Sequence, residues 1–151
     1  MRLSHFQSEQ WLPRSREEVF AFFSAAENLD ALTPPWLGFQ IVSPRPIAMH
    51  RGTLIDYRLR IHGLPIQWRS EITSWQPPHR FVDEQRRGPY RVWHHEHRFE
   101  ERDGGTLAID QVDYAVLGGW LIEKLFVRGD VEKIFEFRRQ KLLEIFKAPP
   151  A

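Results

Sequence analysis

Three histidines fall within seven residues, Trp93-His94-His95-Glu96-His97-Arg98-Phe99, the richest run of titratable and aromatic side chains in the sequence. On a β-strand, successive side chains alternate between faces. Trp93, His95, His97 and Phe99 therefore share one face, and His94, Glu96 and Arg98 the other. The first set is the more aromatic and is taken as the inward one. Downstream, Asp103-Gly104-Gly105 has the composition of a hairpin turn. A two-residue type I′ turn at Asp103-Gly104 pairs Phe99 with Ala108, His97 with Asp110, His95 with Val112 and Trp93 with Tyr114. A Gly104-Gly105 turn shifts the pairs but keeps the same faces together, whereas a three-residue loop reverses them. The predicted inner wall carries Tyr57, Trp93, His95, His97, Asp110 and Tyr114, with Trp68 added from its neighbouring strand.

A His–Asp pair can set the tautomer of an imidazole and raise its basicity, which suits a general base. His97 with Asp110 is the candidate pair. The alternative is a buried polar pair that satisfies itself and fixes the sheet. Two histidines two residues apart on a strand can also share a metal ion. A stable site asks for three or four protein ligands, and a third would have to come from elsewhere, for instance Asp110. No metal and no cofactor is expected.

Arg138 is the second residue that invites chemistry. Val127, Val131, Ile134, Phe135, Leu142, Ile145 and Phe146 fall on one helical stripe with Arg138 in its middle, so its guanidinium is predicted to start from a buried face. An unpaired buried charge is costly, so the head group either snorkels to solvent or meets a partner. That partner is an anionic or carbonyl-bearing ligand, or one of Asp110, Asp113 and Glu84. Trp36, after Pro34-Pro35, reads equally as a lid or as a plug in a small core. The Asp83-Glu84-Gln85-Arg86-Arg87 run reads as a solvated strand end.

These residues need a frame. Leu3 to Leu12 reads as a strand ended by Pro13. Ser15 with Glu18 forms a capping box before Val19, Phe22, Phe23 and Ala26 at helical spacing. A short helix over Asn28 to Leu32 stops before Thr33-Pro34-Pro35. Strand-like runs follow at Phe39–Val42, Thr53–Ile61, Ile66–Trp75, Arg80–Arg86, Tyr90–Glu100 and Thr106–Val116, separated by Gly- and Pro-bearing turns. Connections this short make a meander of antiparallel neighbours. From about Gly119 to Phe146 the period becomes helical, and a helix that long needs a broad apolar surface. Only the meander can supply it. One domain is expected over 1–147, with 148–151 a disordered tail.

Composition narrows the function classes. A content of 42% hydrophobic and 13% aromatic residues, with six tryptophans and eleven phenylalanines, excludes a disordered chain and suits a packed core or an aromatic-lined pocket. The chain has no cysteine, which removes disulfides, thiolate zinc sites and thiol catalysis. A formal net charge of +1 argues against a dedicated nucleic-acid binder. No run is long and apolar enough for membrane insertion, and the first residues do not begin a signal peptide, so a cytoplasmic address is expected.

The element order of strand, two short helices, meander and long final helix resembles the helix-grip fold of the START-related, birch-pollen-allergen-like superfamily. Trp11-Leu12-Pro13-Arg14-Ser15-Arg16-Glu17-Glu18-Val19-Phe20 is similar to the superfamily's first strand running into its first helix. The likeness continues in Glu27-Asn28-Leu29 with Leu32-Thr33-Pro34, and in Gly52 before Asp56-Tyr57. Further matches are Trp75-Gln76-Pro77-Pro78 before Phe81, Gly88-Pro89-Tyr90 with Trp93, and Gly105-Thr106. The ordered set resembles the bacterial polyketide cyclase/dehydrase-like branch. The resemblance implies an α+β fold whose cavity, between sheet and helix, holds a lipid-, quinone- or polyketide-like molecule. It does not imply one chemistry. The leading reading is a binding module for a small hydrophobic or aromatic ligand, touched by Trp36, Tyr57, Trp68, Trp93, His95, His97, Tyr114 and Arg138. Its rivals are a cyclase/dehydratase using His97 or His95 as base, and a protein-interaction module of the same fold.

Overall fold

Alternating polar and apolar residues make strands wherever one face can be buried. In the computed structural model, which describes residues 3–118 and 127–147, seven strands form one curved antiparallel sheet. They are β1 (Ser4–Leu12), β2 (Gln40–Ile41), β3 (Leu54–Ile61), β4 (Leu64–Gln76), β5 (Arg80–Arg87), β6 (Tyr90–Arg102) and β7 (Gly105–Val116). Their spatial order is β1-β7-β6-β5-β4-β3-β2, a meander from β2 to β7 with the first strand added beside the last. Among the described residues three α-helices accompany them: α1 (Arg16–Phe23), α2 (Leu29–Leu32) and α3 (Arg128–Phe146). This is the α+β helix-grip arrangement. The start of the last helix expected from Gly119, through 126, and the tail 148–151 lie outside the described residues. Among the described residues no helix is long and apolar enough to cross a membrane.

Turn chemistry sets the register. Asp103 and Gly104 both adopt positive φ, 51° and 75°, as a type I′ turn demands. The β6–β7 pairs follow: Phe99 with Ala108, His97 with Asp110, His95 with Val112 and Trp93 with Tyr114. His62 and Gly63 repeat the geometry with φ of 50° and 80°. The β3–β4 turn is therefore tighter than the residue pattern suggests, β4 begins at Leu64, and Tyr57 faces Trp68. Upstream, the Ser15 hydroxyl accepts from the backbone N–H of Glu18 at 3.2 Å. The reciprocal half of the capping box is replaced by an ion pair from Arg14 to Glu18 at 2.9 Å.

α3 lies against the sheet through Val131, Phe135, Arg138, Leu142 and Phe146. Leu142 and Phe146 join a core with Leu12, Val19, Phe20, Phe99 and Ala108, while Val131 and Phe135 pack with Val112 and Tyr114. This corrects the predicted stripe. Ile134 is only partly buried, at the cavity, and Ile145 is 36% exposed. Steps of three and four both keep a helical face, and the way the helix crosses the sheet keeps Phe135 and Phe146 of that stripe buried while turning 134 and 145 away from it.

Candidate functional site

Between sheet and α3 lies a cavity of about 570 Å³, within the size range of small-molecule pockets. Its aromatic wall is built by strand alternation. Tyr57 on β3 stacks on Trp68 of β4, with ring centroids 5.8 Å apart and planes 15° apart. Trp68 in turn meets Tyr90 and Trp93 edge-on, each at 5.6 Å. The polar atoms of this wall are already satisfied: Trp68 Nε1 donates to Ser70 Oγ at 2.9 Å, and the Tyr57 hydroxyl lies 3.1 Å from the same oxygen. Trp36, 59% exposed, stands at the mouth with its ring against Phe137.

The buried charges gather on neighbouring strands. The β5–β6 register sets Asp83 opposite His95 and Phe81 opposite His97. His95 and His97 stack with centroids 3.7 Å apart, and Phe81 continues the stack 4.1 Å beyond His97. Each imidazole reaches one carboxylate. His95 Nε2 lies 2.7 Å from Asp110 Oδ1, and His97 Nε2 lies 2.7 Å from Asp83 Oδ2. Longer approaches cross the box, His97 Nδ1 to Asp110 at 3.5 Å and His95 Nδ1 to Asp83 at 3.8 Å. Arg138 leans in from α3 with its nearest nitrogen 3.8 Å from Asp110 Oδ1, and its guanidinium lies over the rings of Phe23 and Phe135. Among the described residues, Nε of Arg138 and Nδ1 of His97 are buried without a hydrogen-bond partner.

Burial and charge set the protonation of this cluster. Burial, reinforced by the charge of His95, lowers His97 to about 4 despite the hydrogen bond to Asp83. Burial alone would raise Asp110, yet Arg138, His95 and His97 outweigh it and hold the carboxyl below the ordinary range. Asp83 is likewise lowered, its burial overcome by the His97 hydrogen bond and the nearby cationic groups. Tyr57 is pushed well above its ordinary value by burial and by Asp83.

The predicted residues are therefore partly regrouped. Trp36, Tyr57, Trp68, Trp93, His95, His97 and Arg138 all line the cavity. Tyr114 does not; it is buried behind the wall, packed against Tyr90 and Trp93. Asp110 lies behind the histidines, beside a small void shared with Arg138 and Gln10. His97 and Asp110 are paired in register, but the hydrogen bond of His97 goes to Asp83 because the strands on either side of β6 both offer a carboxylate. Asp83 is thus no solvated strand end. Its position two residues from Phe81 on an alternating strand carried the signal, masked by the charges after it. Asp113 faces outward to His5 at 2.6 Å, and Glu84 lies near Arg86 rather than Arg138. Asp83, His95 and His97 each bring a ligand-capable atom to within 4.8 Å of one another. Stacked rings send their in-plane lone pairs side by side, however, so a shared metal would require one imidazole to turn.

Residues 12–140 match the family described as polyketide cyclase / dehydrase and lipid transport. The chain belongs to this family. Among curated protein sequences none matches the chain. Among solved structures it is similar to the Zhui aromatase/cyclase from Streptomyces sp. R1128, with TM-score 0.75 and 12% identity over 97% of this chain and 94% of that one. It is also similar to the major latex-like protein 151 from Panax ginseng, with TM-score 0.69 and 9% identity over 95% and 97% of the two chains. At such identities the likeness concerns the fold, and within this family the chemistry has to be argued from the cavity itself.

Proposed function

We propose that the cavity binds a small hydrophobic or aromatic molecule that carries one oxygen-bearing polar end. The observation that carries this reading is the division of the wall. Tyr57, Trp68, Tyr90 and Trp93 offer aromatic surface, while the buried His95, His97 and Arg138 and the half-buried Asp83 form a polar cluster. Apolar walls with a few convergent polar groups are the usual make-up of a small-molecule site. Arg138 supplies donors with no carboxylate in hydrogen-bonding range, and the neutral imidazole of His97 keeps that end from being uniformly charged.

Acid–base catalysis of the cyclase/dehydratase kind is the second reading, favoured by the imidazole–carboxylate contacts at 2.7 Å. His97 suits it poorly, because a base lowered to about 4 has little driving force to take a proton near neutral pH. Binding is therefore the better supported of the two. Native mass spectrometry of the purified protein, combined with titration of the fluorescent apolar probe N-phenyl-1-naphthylamine, tests it. A bound adduct displaced by the probe is the expected result. No adduct and no saturable probe binding would overturn the reading.

A further inference from the structure

The charge cluster is unbalanced in a way that bears on which ligands it takes. From β5 comes Asp83, from β6 His95 and His97, from β7 Asp110 and from α3 Arg138; β3 and β4 add the hydroxyls of Tyr57 and Ser70 beside the cluster, and Arg60, His62, Asp130 and Lys133 line the same cavity without an ion pair to these groups among the described residues. Arg139 lines the small void behind Asp110, but its guanidinium bonds to Ser8 and to the carbonyl of Glu9. Two carboxylates thus face one permanent cation, and one proton on the stacked imidazole pair makes the cluster neutral. A monoanion added beside Arg138 restores a net negative charge in a place where an uncompensated charge is costly.

The geometry already holds a place for the missing charge. Nδ1 of His97 is buried, has no hydrogen-bond partner among the described residues, and stands 3.5 Å from Oδ1 of Asp110. While it is unprotonated, its lone pair confronts a carboxylate oxygen. Protonated, it becomes a donor to that oxygen, and His97 bridges Asp83 and Asp110. Asp110 lies behind the imidazoles and outside the cavity lining, whereas Arg138 faces the cavity. Anion and proton therefore do not compete for one position. The added anion also offsets the repulsion between two stacked imidazolium rings.

Resting on the binding function proposed above, we infer that the site takes apolar monoanions together with one proton from solvent, the anionic oxygens at Arg138 and the proton at Nδ1 of His97. The ligand class is an apolar carboxylate or a comparable organic anion. Binding weakens as pH rises, because each anion bound must bring a proton with it.

Two probes that differ only in their anionic group test this: 8-anilinonaphthalene-1-sulfonate and its uncharged counterpart N-phenyl-1-naphthylamine. The sulfonate cannot hold the proton itself, so any proton taken up lies on the protein. Fluorescence titrations between about pH 4.5 and about pH 6.5, just above the value of about 4 at which the unliganded His97 takes its proton, should show the Kd of the sulfonate rising with pH by up to about tenfold per unit, with that of the neutral probe flat. Asp110→Asn, which removes one negative charge and the acceptor facing Nδ1, should flatten the sulfonate profile. His97→Asn should do the same through loss of the proton site. If both probes bind with the same pH slope, or the slope survives both variants, the proton coupling is overturned and the binding function stands. If neither probe binds, the cavity reading fails and this inference with it.

Discussion

The lowered pKa of His97 makes a prediction about stability whose sign can be worked out. The unfolded chain leaves this imidazole near its ordinary 6.5, while the folded site holds it at about 4. Between those values the unfolded state binds the extra proton, so folding becomes less favourable as pH falls. His97 therefore contributes its full share of stability above about 6.5 and loses it progressively down to about 4. At about 1.4 kcal/mol per pH unit, the loss is about 3 kcal/mol over the window. In a domain of this size each kcal/mol shifts the midpoint by about 2–4 °C, so thermal melts should drop by roughly 6–12 °C from this residue alone. Asp83 and Asp110, both lowered, lose their contributions at still lower pH and do not blur the window. The control is His97→Asn, which keeps a donor for Asp83 but cannot titrate. Differential scanning calorimetry of both proteins between about pH 7 and about pH 4.5 should show a steep fall for the wild type and a flatter profile for the variant. Parallel profiles would mean that His97 is not held neutral in the folded protein, and the account of the cluster would be wrong.

Two further outcomes check the packing around the site. Arg138→Met should destabilise the fold by about 3–5 kcal/mol, because it strands the buried carboxylate of Asp110 without the cation that favours its charge; a thermal melt reads this, and binding of the anionic probe should be abolished. Gly105→Ala should destabilise by about 1–3 kcal/mol, because its Cβ would stand 2.5 Å from the Leu12 carbonyl oxygen and 2.6 Å from the Trp11 ring; urea titration measures the loss.

Local rules reached far into this protein. The Asp103-Gly104 turn is determined by residue type, since only residues tolerant of positive φ fit there, and it alone places His97 opposite Asp110 and Trp93 opposite Tyr114. Alternation in β3 and β6 was enough to put Tyr57, Trp93, His95 and His97 on the cavity side. Contacts across two or more elements were beyond those rules. Asp83 captures His97 because β5 and β7 flank β6 and both present a carboxylate, a choice that register with one neighbour cannot resolve. Tyr114 is on the expected face yet behind the wall, since the rings of Tyr90 and Trp93 pack against it. Arg138 was legible as buried, but its lack of a close carboxylate was not. That, and the turning of Ile134 and Ile145 out of a buried stripe in which Phe135 and Phe146 remain, follow from the way α3 crosses the sheet. Helical periodicity defines a face to within one residue, and only packing against a particular curved surface decides which residues on that face meet the sheet, the cavity or water.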